Sequence, residues 1–482
     1  MAKRSINSNA VFNTLKSIFS VIYPLITFPY ISRVLMTDNV GKINFGNSIV
    51  SYVSLIASLG VTTYAVRECS RVRDNRDELS KTASEILSIN LMSTLVAYLG
   101  LAVVLVVAKP LENYRKLICI QSTAVLFATL GADWLNTAME DFRFIAIRTF
   151  LMQVLSLLLM FVFVHKPEDY MIYAAISVFA SSGANAINIF YRRKYCRTKF
   201  TWNMNVKKHF PRILLLFSLI LSQTIYVNSD MTILGLMKGD HEVGLYSTSV
   251  KIYQIVNSTV ASIAWVVMPQ LSFYYFRKEY DEINKLLKYS LNFITVLGIP
   301  CICGLVIIAP QIITIIAGEA YVEATLSLRI LCIAMLCSFF SGWVGNMTRL
   351  PAGKEGLSLA ISSGSALLNI VLNFLMIPKW GLNAAAFTTA VSEFFSMICG
   401  FIYIDKNIKI EGLRQVFLSP IVGGIGILVI GWITQTMLNR AWIVSIITIV
   451  ISLVWYLFVM LISRNEFFMG FAEPVVNKLI KR

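Results

Sequence analysis

The chain has 482 residues, 57% hydrophobic and 14% charged, with a mean hydropathy of +0.70. A soluble chain of this length carries about a quarter charged residues spread over several domains, so a multidomain soluble protein is excluded. The apolar residues fall in runs of roughly 20, enough for a helix to cross a bilayer core, and the net charge of +16 is bunched in the connections between them, a signal of topology and not of nucleic-acid binding.

In chain order the N-terminus starts basic. No small-residue cleavage site closes a short apolar core, and the run continues through Pro24 and Pro29, so it reads as a retained first span. About fourteen spans are predicted, at 10–33, 44–66, 83–107, 117–137, 144–164, 170–191, 213–236, 246–268, 289–316, 326–348, 355–376, 382–404, 415–437 and 441–463. An even number puts both termini on one side. The connections on that side hold 30 Lys and Arg, those on the other side eight. The positive-inside rule then places both termini in the cytoplasm. The longest connection, 192–212, is strongly basic and cytoplasmic, and its charge reads as topology and contact with anionic lipid.

The two halves are weakly related. Leu35–Gly41 after the first span resembles Leu236–Gly244 after the seventh, each ending in Val-Gly, and Ile189-Phe190-Tyr191 resembles Phe401-Ile402-Tyr403. Six spans per half imply parallel repeats with a substrate site between them. The expected organisation is a six-helix bundle at 1–191, the basic linker 192–212, a second six-helix bundle at 213–404, and two extra helices with a cytoplasmic tail at 405–482. Pro24 and Pro29 interrupt the first span, Pro300 and Pro310 the ninth; each removes a backbone donor and kinks its helix.

Ionisable residues at membrane depth are costly and point to function by default. They are Lys16, Glu85, Asp133, Asp230, Lys251, Arg329 and Glu393, with Arg33 at the outer end of the first span. For Arg33, Arg329, Glu85 and Asp133 the competing reading is snorkelling from a span end. For Asp230 and Lys251 it is a structural pair across the turn that joins their spans. Asn369 and Asn373 share one helix face, where helix–helix hydrogen bonding competes with sugar contact.

Four stretches resemble the polysaccharide-transporter branch of the multidrug/oligosaccharidyl-lipid/polysaccharide (MOP) exporter superfamily, the Wzx-type O-antigen flippases in particular. They are Phe28–Leu35 with Gly41, Gly60 and Ala65-Val66-Arg67; Asp230, Leu234-Gly235, Val243–Tyr246 and Lys251; Pro300 through Ala309-Pro310 to Gly318 and Tyr321; and Asn369, Asn373, Ile377-Pro378, Gly381, Ala384–Ala386 and Ser392-Glu393. The resemblance covers most of the first 405 residues. It implies an all-α integral membrane fold of two pseudo-symmetric six-helix bundles around a central cavity. It further implies alternating access, an inner (plasma) membrane location, and flipping of a polyprenyl-diphosphate-linked oligosaccharide, coupled to a proton or sodium gradient.

Such a headgroup is anionic and needs cations to replace its hydration. Lys16, Lys251 and Arg329, with Arg33, are the candidate substrate contacts, and Asp230 and Glu393 the candidate ion-coupling carboxylates. Membrane lipids and polysaccharide assembly proteins are the further partners expected; nucleic acid is not. No GxxxxGK[ST] loop is present, His165, His209 and His241 lie in separate connections, and the eight cysteines read as small buried hydrophobes, so no cofactor or metal is expected. The alternatives are an ion-coupled multidrug exporter of the same superfamily and, from another class, a membrane glycan polymerase. The short outer connections leave the polymerase no room for a catalytic domain.

Overall fold

In the computed structural model the described residues are 6–437 and 441–470, and among them there is helix but no strand. The chain divides into two compact units, Met1–Gly244 and Leu245–Arg482. The first holds α1 (Ile6–Ser58), α2 (Val61–Arg71), α3 (Arg76–Val107), a 3-10 segment Lys109–Tyr114, α4 (Arg115–Gly131), α5 (Trp134–Ala138), α6 (Phe142–Phe163), α7 (Tyr170–Tyr191), α8 (Val206–Lys238) and the first turn of α9 (Asp240–Ala261). The second holds the rest of α9, α10 (Ile263–Arg277), α11 (Tyr280–Ile316), a 3-10 segment Glu319–Ala324, α12 (Thr325–Trp343), a π-helical turn Val344–Arg349, α13 (Glu355–Ile402), α14 (Leu413–Met437) and α15 (Ala441–Ile462). A long helix, a six-residue 3-10 segment and a second helix follow one another in each unit, at α3–α4 and again at α11–α12.

Among the described residues ten helices are long and apolar enough to cross a membrane, or eleven if the bent pair α9–α10 is one span. The chain is a multi-pass membrane protein. Two of these elements, α1 with 53 residues and α13 with 48, are much longer than one crossing needs, and each breaks midway, at Met36 and at Gly381. α4, with 17 residues, is at the short end of what a crossing needs.

Burial is arranged as a bilayer demands. On α3, Leu95, Val96, Leu99, Val103 and Val106 are exposed, the face for lipid, while Ser88, Asn90, Ser93 and Thr94 are buried. The inward polar groups find partners on neighbouring helices. Asn90 Nδ2 and Ser93 Oγ both donate to the Ala57 carbonyl (2.7 and 2.6 Å), and Thr94 meets Thr129 at 2.8 Å. Each such bond contributes roughly 0.6 kcal/mol in a membrane. In the second unit α14 and α15 pack on α11, where Tyr456 donates to the Val296 carbonyl (2.8 Å) within a cluster of Val296, Ile427 and Met460.

The basic linker is fastened to α3 by a serine ladder. The backbone N–H groups of Arg197, Lys199 and Thr201 donate to the hydroxyls of Ser80, Ser84 and Ser88 at 3.4, 3.1 and 2.9 Å. Four helical residues rise about 6 Å and two extended residues about 6.6 Å, so alternate linker amides stay in step with every fourth serine. Ser84 and Ser88 in turn donate to the carbonyls of Ser80 and Ser84. Cys196, at the start of the strap, is fully buried beside Cys69, Tyr64 and Trp134, and burial pushes its thiol up to about 11. It packs as an apolar residue.

Candidate functional site

The related stretches Leu35–Gly41 and Leu236–Gly244 lie against each other. Aligned on their Val-Gly ends, they place Met36 opposite Gly239, and both residues leave the helix in the same conformation: φ 62° and ψ 175° for Met36, φ 88° and ψ −172° for Gly239. That region is strained for any side chain, so Met36 stores strain that Gly239 does not. Four residues before each glycine stands the partner of the other glycine. A Cβ on Gly41 would lie 1.8 Å from the Asp240 carbonyl oxygen, and one on Gly244 2.1 Å from the Thr37 carbonyl oxygen. Backbone meets backbone across a local two-fold, with Asp38 and His241 facing each other at equivalent positions (2.9 Å). Tyr114 donates to the Asp240 carboxylate and closes one side.

Asp230 precedes this contact on α8 and is 6% exposed. Its neighbour Thr232 donates to Ser48 Oγ (2.9 Å) and lies 3.1 Å from the Tyr52 hydroxyl, so polar groups of α1 and α8 meet beside the carboxylate. Lys16 lies on α1, but its side chain is outside the described residues. Arg33 is exposed and donates to the Pro29 carbonyl at 2.7 Å.

In the second unit Glu393 is half-buried on α13 and accepts from Ser341 Oγ at 3.0 Å. Three residues before Ser341, Ser338 accepts from Asn257 Nδ2 (3.4 Å). The carboxylate therefore closes a polar cluster formed by α9, α12 and α13. A cavity of about 30 Å³ adjoins it, with Asn257, Ser338 and Asn346 as its polar lining, enough for a water molecule. Lys251 is half-buried on α9, two residues before Tyr253. Arg329 is exposed, and its Nε donates to the Val306 carbonyl at 3.0 Å. Asn369 and Asn373 are fully buried; Asn373 donates to Asn369 (3.0 Å) and accepts from Thr388, which makes them a bond within the α13 hairpin.

Glu85 does not snorkel from its span end. Glu85 is 4% exposed and meets His209 Nε2 at 3.0 Å. With a carboxylate there the ring proton sits on Nε2, and Nδ1 accepts from the Tyr64 hydroxyl at 2.7 Å. His209 is not in a loop but in the first turn of α8, with no exposure at all. Around this trio Glu68 of α2 pairs with Arg71 (2.9 Å) and with Arg212 of α8 (3.5 Å). Asp133 is held by Arg148, itself 3% exposed, which also donates to the Ala184 carbonyl (2.9 Å). Asn136 and Asn188 hydrogen-bond alongside. No sequence signal marks these sets, because the partners are separated by up to 145 residues and belong to different helices.

The comparisons with known proteins agree with this architecture. The chain is 23% identical over 398 residues to a Shigella dysenteriae protein named as an O-antigen transporter, covering 80% of this chain and 96% of that one. It is 24% identical over 418 residues to the capsular polysaccharide biosynthesis protein CapF of Staphylococcus aureus, covering 83% and 99%. Among solved structures, the inward closed lipid II flippase MurJ superposes with a TM-score of 0.77 at 14% identity, over 95% of this chain and 99% of that one. An inward-facing multidrug resistance transporter of the MOP superfamily gives 0.65 at 14% identity, over 82% and 97%. At these identities the structures establish the fold, the all-α fold of MOP exporters. The family model described as polysaccharide biosynthesis protein matches residues 6–274, more than half of the chain, and the chain belongs to that family.

Proposed function

We propose that this protein is a transporter that flips a lipid-linked oligosaccharide, the repeat unit of a surface polysaccharide, across the inner membrane, with both termini in the cytoplasm. The observation that carries the reading is membership of the polysaccharide biosynthesis family on a chain folded as an exporter. The names of the relatives, which include an O-antigen transporter and a low-salt glycan biosynthesis flippase of Haloferax volcanii, support the substrate class.

In this reading Glu393 is an ion-coupling carboxylate, because it is the acid hydrogen-bonded into a polar cluster of neutral groups on α9, α12 and α13. Asp230 is the second such carboxylate, and Lys251 is the cation that meets the diphosphate. Arg33 and Arg329 tie carbonyls near the span ends and assist there. Lys16 completes the set from the first span.

Deleting the gene should remove surface polysaccharide and leave lipid-linked repeat units at the inner face of the membrane. Glu393→Gln should reduce surface glycan by at least about tenfold, equivalent to ~1.4 kcal/mol on the limiting step, at unchanged protein level in the membrane. Ser341→Ala should give a smaller loss. Normal glycan in Glu393→Gln would remove Glu393 from the mechanism. Unchanged glycan in the deletion strain, with reduced efflux of cationic dyes, would replace the whole reading by the multidrug exporter.

A further inference from the structure

The π-helical turn Val344–Arg349 ends α12, and hydropathy alone assigns its last residue to the polar connection that follows. Instead Arg349 is 6% exposed. Its Nε and Nη1 are buried and have no hydrogen-bond partner among the described residues, and no described carboxylate lies within ion-pair distance. Its Nη2 lies 3.1 Å from where a side chain on Gly345 would begin, so that glycine leaves the guanidinium its room.

The first unit shows what a buried arginine needs in this fold. Arg148 lies on α6, and its guanidinium is held by the Asp133 carboxylate and the Ala184 carbonyl. Arg349 has no counterpart of Asp133. A guanidinium keeps its proton under all ordinary conditions, and a buried charge left uncompensated is strongly destabilising. Water could satisfy the N–H groups but not the charge. The wide turn itself is a type that occurs mostly at functional sites.

The geometry points to Arg349 as an anion site that takes a phosphate group, through the Nε and Nη1 N–H groups that the protein leaves without an acceptor. Guanidinium N–H groups make short, charge-assisted hydrogen bonds to phosphate oxygens. The phosphate is that of a lipid headgroup or of a free phosphate compound; the chemistry of recognition is the same. This assignment goes beyond the flippase reading and does not depend on it.

The test uses the purified full-length protein and thermal unfolding. One arm adds inorganic diphosphate to protein in neutral detergent; the other compares nanodiscs of phosphatidylcholine with nanodiscs containing phosphatidylglycerol. Each arm includes potassium chloride at matched ionic strength. Stabilisation by diphosphate assigns a free phosphate compound, and stabilisation by phosphatidylglycerol alone assigns a headgroup. In either case Arg349→Gln should weaken the apparent affinity at least about tenfold, with Arg349→Lys in between because it keeps the charge but loses the fork. Gly345→Ala, which crowds the guanidinium without removing it, should weaken binding as well and serves if Arg349→Gln does not fold. No stabilisation in either arm, or equal stabilisation of wild type and both position-349 variants, overturns the assignment. No transport is measured, so that result would leave the flippase reading standing.

Discussion

Replacing Gly41 by alanine is expected to abolish surface glycan and to lower the unfolding midpoint, and Gly244→Ala should do the same, while Gly100→Ala does neither. At Gly41 and Gly244 the added methyl meets a backbone carbonyl oxygen at 1.8 and 2.1 Å, well inside van der Waals contact. Backbone cannot swing aside as the end of a flexible side chain can, so the second half of α1 and the start of α9 must separate. Overpacking of this kind costs about 1–3 kcal/mol, and small residues are what allow two membrane helices to approach so closely. Gly100 on α3 has nothing within 4 Å of the position a methyl would take, and there alanine should be neutral or slightly stabilising through its higher helix propensity. The measurements are unfolding of the purified variants and surface glycan in complemented cells. Wild-type glycan and an unchanged midpoint in Gly41→Ala would show that the close contact does not exist in the working protein.

Glu85→Ala should destabilise the protein by about 1–3 kcal/mol, the usual cost of leaving a buried donor unsatisfied. The variant leaves the His209 Nε2–H buried without its acceptor. Glu85→Gln keeps a side-chain oxygen for the ring N–H and should cost less, about 1 kcal/mol. By contrast, His241→Ala removes an exposed pair with Asp38 and should change stability by less than about 1 kcal/mol. Circular dichroism against temperature in one detergent ranks the three. An order with His241→Ala most severe would mean that the Glu85–His209–Tyr64 set does not hold α2, α3 and α8 together.

Much of this protein is legible in its sequence. The apolar runs, the breaks after the first and seventh spans, and the Val-Gly register of the repeat all follow from local composition, because a bilayer imposes helix on every crossing segment. Met36 and Gly239, which that register aligns, leave the helix in matched conformations. What hydropathy reports is depth, and depth does not say which way a side chain faces. By hydropathy Glu85 and Asp133 are acids at span ends free to reach water, yet Glu85 is buried against His209 of a helix distant in sequence and Asp133, still partly exposed, is paired with the buried Arg148. By the same measure Arg349 is a loop residue, because the loop begins just after it.

The sequence by itself determined that the chain is helical, crosses a membrane many times, and resembles a polysaccharide exporter. The reason is that length, apolarity and short motifs are properties of contiguous residues. Only the tertiary structure decided which charges are paired. It joined Glu85 to His209, Arg148 to Asp133 and Ser341 to Glu393, and left the Nε and Nη1 of Arg349 without a protein acceptor among the described residues. Those outcomes depend on how helices far apart in the chain turn their faces to one another, and the cost of burying a charge makes each one consequential.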